Sequence, residues 1–225
     1  MSKQPEPDTS TFRERGTQAV ITPSNITHNL NTLKRLHPGK TIAVIKANAY
    51  GHGDKAIVEA CIKQDIQDFG LATMQEALEL RKSFPSDDIH FYAFSETELV
   101  DINRWKKNYL DKNIYPVIEN NNELHSVLSD PELSQLKIVL KVNIGMNRFG
   151  INQNDLDETI SLLKNYKRDI YHLLGHLPCA NELKSLDKTK HQISYLQEIK
   201  NKIIVENINI NHASVCNSAA IERGL

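Results

Sequence analysis

The sequence predicts a parallel α/β fold, because short apolar stretches alternate along the chain with charged segments of helical spacing. Seven stretches rich in apolar or β-branched residues are the predicted strands: Thr41–Ile45, Phe69–Ala72, Ile89–Ala93, Tyr115–Ile118, Ile138–Val142, Tyr171–Leu174 and Asn207–Asn211. Strand, helix and strand repeated in this way indicate right-handed parallel βαβ units. Seven strands fit either a doubly wound sheet or most of a (β/α)8 barrel. A complete barrel usually needs about 250 residues, and this chain has 225.

The predicted helices lie between these strands. They are Lys55–Lys63, Gln75–Lys82, Glu96–Lys106, Asn121–Leu128, Leu156–Lys164 and Leu186–Lys202. A further helix is predicted to precede the first strand and to run to about Leu36, with Ser24 as its N-cap. Ile26, Leu30 and Leu33 recur there at helical spacing, so one face of this helix is apolar.

The N-terminal residues have a different character. Residues 1–15 are polar and include Pro5 and Pro7 among charged side chains, which predicts a disordered tail and not a secretory signal. Gln18–Ile21 is a candidate short strand in a folded domain predicted to span residues 16–225. The sequence has no apolar run of about 18 residues, the length needed to cross a bilayer.

Charge indicates the class of binding partner, and cysteine usage indicates the cellular compartment. The net charge is −1 and the basic residues are scattered, which argues against nucleic acid and acidic membranes as partners and favours a small molecule. Cys61, Cys179 and Cys216 form no CxxC pair, and such thiols are typical of a reducing cytoplasm.

The first motif that could carry chemistry covers residues 43–53. It places Lys46 at the carboxyl end of an apolar strand, the end that faces the active site in a parallel barrel. A desolvated lysine there has a lowered pKa and suits covalent catalysis and proton transfer, whereas a lysine that simply reaches solvent would do neither. The run from Val44 to Gly53 resembles, almost letter for letter, the cofactor-lysine motif of alanine racemases. The resemblance implies that Lys46 binds pyridoxal phosphate covalently and removes the α-proton of the D-enantiomer, and that Tyr50 contacts the cofactor phosphate.

The second motif covers residues 140–150. Gly145 and Gly150 have the spacing of a phosphate loop, but the Lys-Ser/Thr pair that should follow is absent. The segment instead resembles the fifth-strand motif of the same family. By that resemblance, Arg148 lies beside the phenolic oxygen of the cofactor and positions the substrate carboxylate. A guanidinium is suited to this role because it is permanently charged and binds carboxylates through two hydrogen bonds.

Two features of the second motif remain open. Lys141 corresponds to a lysine that some relatives carry as a carbamate, and the alternative is an ordinary lysine with a buried stem. Asn143 and Ile144 stand where the family commonly has aspartate and threonine. These two replacements could alter the hydrogen bonding behind Arg148.

The third motif begins at the sixth strand. His172 and His176 are four residues apart, but a zinc signature needs a helix and a glutamate after the first histidine, and Leu173 stands there in a strand. No metal site is therefore predicted. The resemblance implies that His176 stacks on the pyridine ring of the cofactor. Leu177 and Asn181 depart from the phenylalanine and aspartate usual in the family.

The fourth motif, residues 212–220, follows the seventh strand and opens a helix. Backbone amides and a hydroxyl at such a place can bind a phosphate, although an ordinary N-cap role is the alternative for Ser218. The run from Asn217 to Ala220 also resembles the family. It implies that Ser218 binds the cofactor phosphate and that Asn217 shapes the loop.

The four motifs occur in family order from Lys46 to Ala220. The resemblance implies an incomplete (β/α)8 TIM-type barrel of about seven strands. It also implies a homodimeric parent enzyme that interconverts L- and D-alanine for peptidoglycan synthesis with pyridoxal phosphate. A C-terminal β-domain, its partner-subunit tyrosine and an arginine after the eighth strand are not found in this sequence. We therefore expect a truncated chain that is inactive or weakly active alone, with two sheet edges that the first helix or another copy could cover.

Three alternatives remain open at this point. One is a single-domain pyridoxal-phosphate-binding protein of cofactor homeostasis. Another is a racemase of a different amino acid, such as serine or a basic one. The third is a parallel α/β protein without a cofactor.

Overall fold

A computed structural model of the chain describes residues 20–94 and 102–225. Its strands form one parallel sheet in which spatial order follows chain order from β1 to β7. The strands are β1 (Ile42–Val44), β2 (Asp68–Leu71), β3 (His90–Ala93), β4 (Ile114–Ile118), β5 (Val139–Lys141), β6 (Ile170–Leu174) and β7 (Ile210–Ser214).

Helices follow the strands along the chain. They are α1 (Pro23–Leu36), α2 (Lys46–Tyr50), α3 (Asp54–Ile62), α4 (Met74–Ser83), α5 (Ile102–Asp111), α6 (Asn121–Ser129), α7 (Leu156–Asn165), α8 (Leu186–Val205) and α9 (Ser218–Glu222). Single 3-10 turns lie at Pro131–Leu133, Gln153–Asp155 and Leu183–Ser185. None of these described helices is both long enough and apolar enough to cross a membrane.

The sheet curls like part of a barrel. The ring centroids of Tyr92 on β3 and His172 on β6 are 5.9 Å apart. In a flat sheet these strands, three positions apart, would be separated by about 14 Å. A doubly wound sheet also reverses its strand order at one point, whereas this order is sequential. The structure therefore selects the incomplete barrel over the doubly wound alternative.

The apolar core has two layers because alternate residues of each strand face opposite sides of the sheet. Ile118 of β4 and Leu140 of β5 pack in the outer layer with Leu124 of α6. A smaller inner cluster lies on the other face of the strands and contains Tyr92, Tyr115, Val117, Val139 and Leu174. Side chains thus fill the inside of the curled sheet as they do in closed barrels.

The two edge strands are much less covered than the centre. Val44 on β1 is 41% exposed, and no residue of β7 is fully buried. Helix α1 packs against α3 and α9, the helices that follow β1 and β7. Helix α1 thus bridges helices beside the two edge strands, and the expectation that it covers the strand edges themselves stays a prediction.

Several predicted boundaries need correction. The N-cap of α1 is Thr22 and not Ser24, because the helix already begins at Pro23, whose missing N–H is tolerated in the first turn. The seventh strand begins at Ile210 and ends at Ser214, three residues later than predicted.

Other predictions fall wholly or partly outside the described residues. The predicted tail at residues 1–15 lies outside them. Of the candidate strand Gln18–Ile21, the described residues Val20 and Ile21 are not in a strand. Helix α5 ends at Asp111, five residues beyond the predicted end of Glu96–Lys106, whose first part lies outside the described residues.

Candidate active site

The residues singled out in the sequence follow the carboxyl ends of four parallel strands. Lys46 follows β1, Lys141 ends β5, and Arg148 lies in the loop after it. His176 follows β6, and Ser218 begins the helix after β7. Because all the strands are parallel, these residues lie at one end of the curled sheet, which is the end where barrel active sites are found.

Lys46 is held by a turn of unusual handedness. The four residues Ala47–Tyr50 have φ values of 51°, 54°, 53° and 55°, the left-handed region. For residues other than glycine this conformation costs about 1–2 kcal/mol per residue, so other contacts must stabilise it. The amide of Ala49 donates to the Ile45 carbonyl at 2.8 Å, and the amide of Gly51 donates to the Ala47 carbonyl at 3.1 Å.

Glu76, which the sequence reasoning missed, also fixes this turn. One oxygen of its carboxylate accepts a hydrogen bond from the Ala47 amide at 2.9 Å, and the other accepts from the Ala72 amide at 2.8 Å. Its own amide donates to the Thr73 hydroxyl, the N-cap of α4. The Thr-x-x-Glu spacing of a capping box was the available signal. Glu76 thus ties the backbone after Lys46 to the end of β2.

The loop that carries Arg148 is organised by Asn143. The side-chain oxygen of Asn143 accepts hydrogen bonds from the amides of Gly145 and Asn147, both at 3.0 Å. Gly150 has a φ of +111°, and a Cβ there would lie 2.8 Å from the Val142 carbonyl carbon, so the loop requires glycine to close onto β5. An asparagine in place of the usual aspartate therefore still supplies the acceptor that orders the loop.

Lys141 is paired with a second residue that the sequence reasoning missed. Its Nζ lies 2.8 Å from Oε1 of Glu119, and the two side chains are only 14% and 7% exposed. The register pairs Ile118 of β4 with Leu140 of β5, which brings the next residue of each strand together. A glutamate directly after a buried strand was a signal for a functional carboxylate.

His176 shows that several of these groups share one region. The residue is exposed, yet partial desolvation of its ring lowers its pKa, and the positive charges of Lys141, Arg148 and Lys46 lower it further. The charges of these three side chains therefore reach His176. The lowered pKa favours the neutral form of the imidazole.

The end of β7 is joined to the end of β6. Asn217 is the N-cap of α9, and its side-chain oxygen accepts from the Ala220 amide at 3.1 Å. Its side-chain nitrogen donates to the Leu177 carbonyl at 2.9 Å. Because Asn217 fills the N-cap position, the N-cap interpretation of Ser218 is wrong, and Ser218 is exposed in the first turn of α9. Tyr50, another predicted phosphate contact, is 61% exposed.

The charges of the site favour an anionic ligand. Lys46, Lys141 and Arg148 bring three cationic groups near His176. A molecule with a phosphate, a phenolate or a carboxylate would complement them. Among the described residues, no cluster of three or more histidine, cysteine or acidic side chains could hold a metal ion.

A curled parallel sheet with lysine, arginine and histidine at the carboxyl ends of its strands defines a protein of the α/β-barrel class, with a candidate site at one end. Residues 21–224 match the family described as alanine racemase, N-terminal domain. The chain belongs to this family.

Individual relatives agree with this assignment. The alanine racemase of Legionella pneumophila (strain Corby) is 32% identical over 212 residues, which cover 92% of this chain and 55% of that relative. The chain thus spans about half the length of the curated relatives it matches.

Solved structures agree on the fold. Alanine racemase from Corynebacterium glutamicum superposes with a TM-score of 0.77 at 24% identity, covering 90% of this chain and 56% of that one. Histidine racemase from Leuconostoc mesenteroides subsp. sake superposes with a TM-score of 0.75 at 23% identity, covering 89% and 53%. These likenesses confirm the predicted incomplete (β/α)8 barrel.

Proposed function

We propose that this chain forms the cofactor-binding barrel of a pyridoxal-phosphate-dependent alanine racemase, which supplies D-alanine for peptidoglycan from the cytoplasm. The observation that carries the proposal is the placement of Lys46, Lys141, Arg148 and His176 at or after the carboxyl ends of parallel strands in a chain of this family. Pyridoxal phosphate and alanine bring a phosphate, a phenolate and a carboxylate, which the cations Lys46 and Arg148 can complement.

The described side chains fit the cofactor. Lys46 offers a primary amine that is half-buried and makes none of the described ion pairs. Ser218 and Tyr50 offer exposed hydroxyls for the phosphate, and Asn217 holds the loop that presents Ser218. His176 offers a ring that can stack on the pyridine.

Each residue has a proposed role in racemisation. Pyridoxal phosphate, when bound, supplies a conjugated ring that accepts electron density as the α-proton leaves. Lys46 holds the cofactor and moves the proton on one face of the α-carbon. Arg148 binds the substrate carboxylate and so fixes which face of the α-carbon meets Lys46.

Inversion of the α-carbon also requires a proton carrier on its opposite face. We propose that this group comes from the partner subunit of a homodimer, as the family resemblance implies. The cofactor site can therefore be tested by binding, without requiring turnover by the 225-residue chain.

The test is an absorbance titration of the purified chain with pyridoxal phosphate. We expect a visible band that borohydride converts to a stable adduct, which mass spectrometry locates on Lys46. The band is lost in Lys46→Ala and kept in Lys55→Ala, a matched control because Lys55 is an exposed lysine on α3. A folded wild-type chain without the band would refute the proposal.

A racemase of another amino acid is the second candidate, because the fold is shared with the histidine racemase named above. We propose to add D-alanine, D-histidine or D-serine to the cofactor-loaded chain. A spectral change at the lowest concentration with D-alanine supports the first candidate, and a preference for D-histidine supports the second. A visible band that no amino acid perturbs favours the cofactor-homeostasis alternative.

A further inference from the structure

Glu119 is a buried carboxylate at the edge of the cationic site. It directly follows β4, is 8% exposed, and its carboxylate contacts the Nζ of Lys141 at 2.8 Å. Its backbone amide donates to Oε2 of Glu123 at 2.8 Å, and the amide of Glu123 donates to the side chain of Asn120, the N-cap of α6. The start of α6 therefore fixes the position of Glu119.

Two cations act on the carboxylate of Glu119. Burial, together with the charge of Glu123, raises the pKa of its carboxyl, and the hydrogen bond and charge of Lys141 and the charge of Arg148 offset part of this rise. The centroid of the Phe149 ring lies 5.1 Å from the Nζ of Lys141 and 5.5 Å from the Cζ of Arg148, so both cations lie against the same ring. Glu119 thus places a carboxylate in the part of the site that holds Lys141 and Arg148.

We infer that Glu119 is a positioning residue that keeps Lys141 as an unmodified ammonium group beside Arg148. This replaces the carbamate that the resemblance allows at Lys141. The inference rests on the proposed function, because that function defines the site in which Lys141 and Arg148 act together.

The chemistry of carbamate formation explains the effect of Glu119. The ammonium group must first lose a proton, after which the amine nitrogen bonds to the carbon of CO2 and releases a second proton. The cationic side chain thereby becomes an anion. A carboxylate 2.8 Å from Nζ opposes both changes, because it stabilises the ammonium and repels the carbamate.

Removing the charge of Glu119 should reverse this preference. In Glu119→Gln, Lys141 loses the carboxylate that pairs with its ammonium group, while Arg148 keeps its positive charge. A carbamate would then provide the negative charge that the site has lost. Glu119→Asp keeps the carboxylate and should keep the ammonium.

The experiment is 13C NMR of the purified chain in 13C-labelled bicarbonate at mildly alkaline pH, without added cofactor. We expect no carbamate resonance in the wild type or in Glu119→Asp. We expect one in Glu119→Gln that disappears when Lys141→Arg is added. Glu123→Gln is the matched control, because it neutralises a neighbouring buried carboxylate that makes no described contact with Lys141, and it should show no resonance.

Two results would overturn the inference. One is a carbamate resonance in the wild type that Lys141→Arg removes, a measurement that needs no folded Glu119 variant. The other is no resonance in folded Glu119→Gln. Because the resonance is recorded without pyridoxal phosphate, its outcome is separate from the visible band. A missing band with the expected NMR result would refute the proposed function and leave the pairing of Glu119 with Lys141 intact.

Discussion

The centre of the sheet and its edges are built in different ways. All five residues of β4 are buried, whereas no residue of β7 is fully buried. Yet the edge strands β1 and β7 lead directly to Lys46 and Ser218, two of the residues on which the proposed function depends. The difference teaches that apolar packing stabilises the centre, while hydrogen-bonded loops position the functional groups at the edges.

At each edge, side-chain hydrogen bonds hold the functional loop to a neighbouring part of the sheet. The carboxylate of Glu76 ties the turn after Lys46 to the end of β2. Asn217 ties the loop after β7 to the loop after β6 through the Leu177 carbonyl. Three predictions test whether apolar packing stabilises mainly the centre of the sheet and hydrogen bonding mainly its edges.

The largest expected effect concerns packing. Ile118→Ala on β4 removes a fully buried side chain and should lower the free energy of unfolding by about 4 kcal/mol, which includes the cavity left behind. Ile210→Ala on β7 removes a half-buried side chain and should lower it by less than about 2 kcal/mol. Urea unfolding of both variants measures the difference. Equal losses would show that the edge is packed as tightly as the centre.

The second prediction uses pH. Burial, followed by the charges of His212 and Lys40, lowers the pKa of His172 from 6.5 to about 4. The unfolded chain therefore binds a proton at higher pH than the folded chain does. The free energy of unfolding falls as the pH drops from about 6.5 through about 4, by at most about 3 kcal/mol for this group.

His172→Gln should remove that part of the pH dependence. His212→Gln on the edge strand should remove less, since His212 is half-buried whereas His172 is buried. Urea unfolding at several pH values, compared between each variant and the wild type, separates these histidines from the carboxylates. Equal changes in the pH dependence of unfolding in the two variants would contradict the predicted difference between centre and edge.

The smallest expected effect concerns helix N-caps. Here we expect the loss of stability to be at least as large at the edge as at the centre, the opposite of the first prediction. Asn120→Ala at the start of α6 should cost about 1 kcal/mol, because one cap hydrogen bond is lost. Asn217→Ala should cost at least as much although it lies at the edge, since Asn217 makes both a cap bond and the bond to Leu177. Thermal or urea unfolding measures both losses. If Asn120→Ala lowered the free energy of unfolding more than Asn217→Ala, the edge would not depend on hydrogen bonds in the way proposed.

Hydrophobic patterning was enough to predict the central strands but not the seventh. The alternation in Asn207–Asn211 indicated a strand there, whereas the structure places β7 at Ile210–Ser214. The strand is defined by backbone pairing with β6, for example Leu174 with Ser214, and by the bond from the Gly175 amide to the Ser214 carbonyl. Backbone pairing of this kind leaves no hydrophobic pattern in the sequence when the strand contains polar residues such as His212 and Ser214.

Motifs predicted the candidate residues that lie inside a recognisable run of sequence, as Lys46 and Arg148 do. Their roles remain predictions until the cofactor is tested. Glu119 was missed because its significance depends on the register that aligns Ile118 with Leu140, a relation between distant parts of the chain. Glu76 was missed for the same reason, since its partner Ala47 is 29 residues away.

The turn that follows Lys46 was also unpredictable, because alanine and tyrosine rarely adopt left-handed backbone. Elsewhere in the described chain, left-handed residues other than glycine occur singly, at positions such as Asp65 and Asn113. In stereochemical terms, Ala47–Tyr50 has the backbone that D-residues favour, built from L-residues. The usual rule for helix interiors is therefore inverted here. Glycine, which weakens an ordinary helix, would relieve the chain at Ala47, because the strain beside the candidate catalytic lysine comes from Cβ atoms on a left-handed backbone.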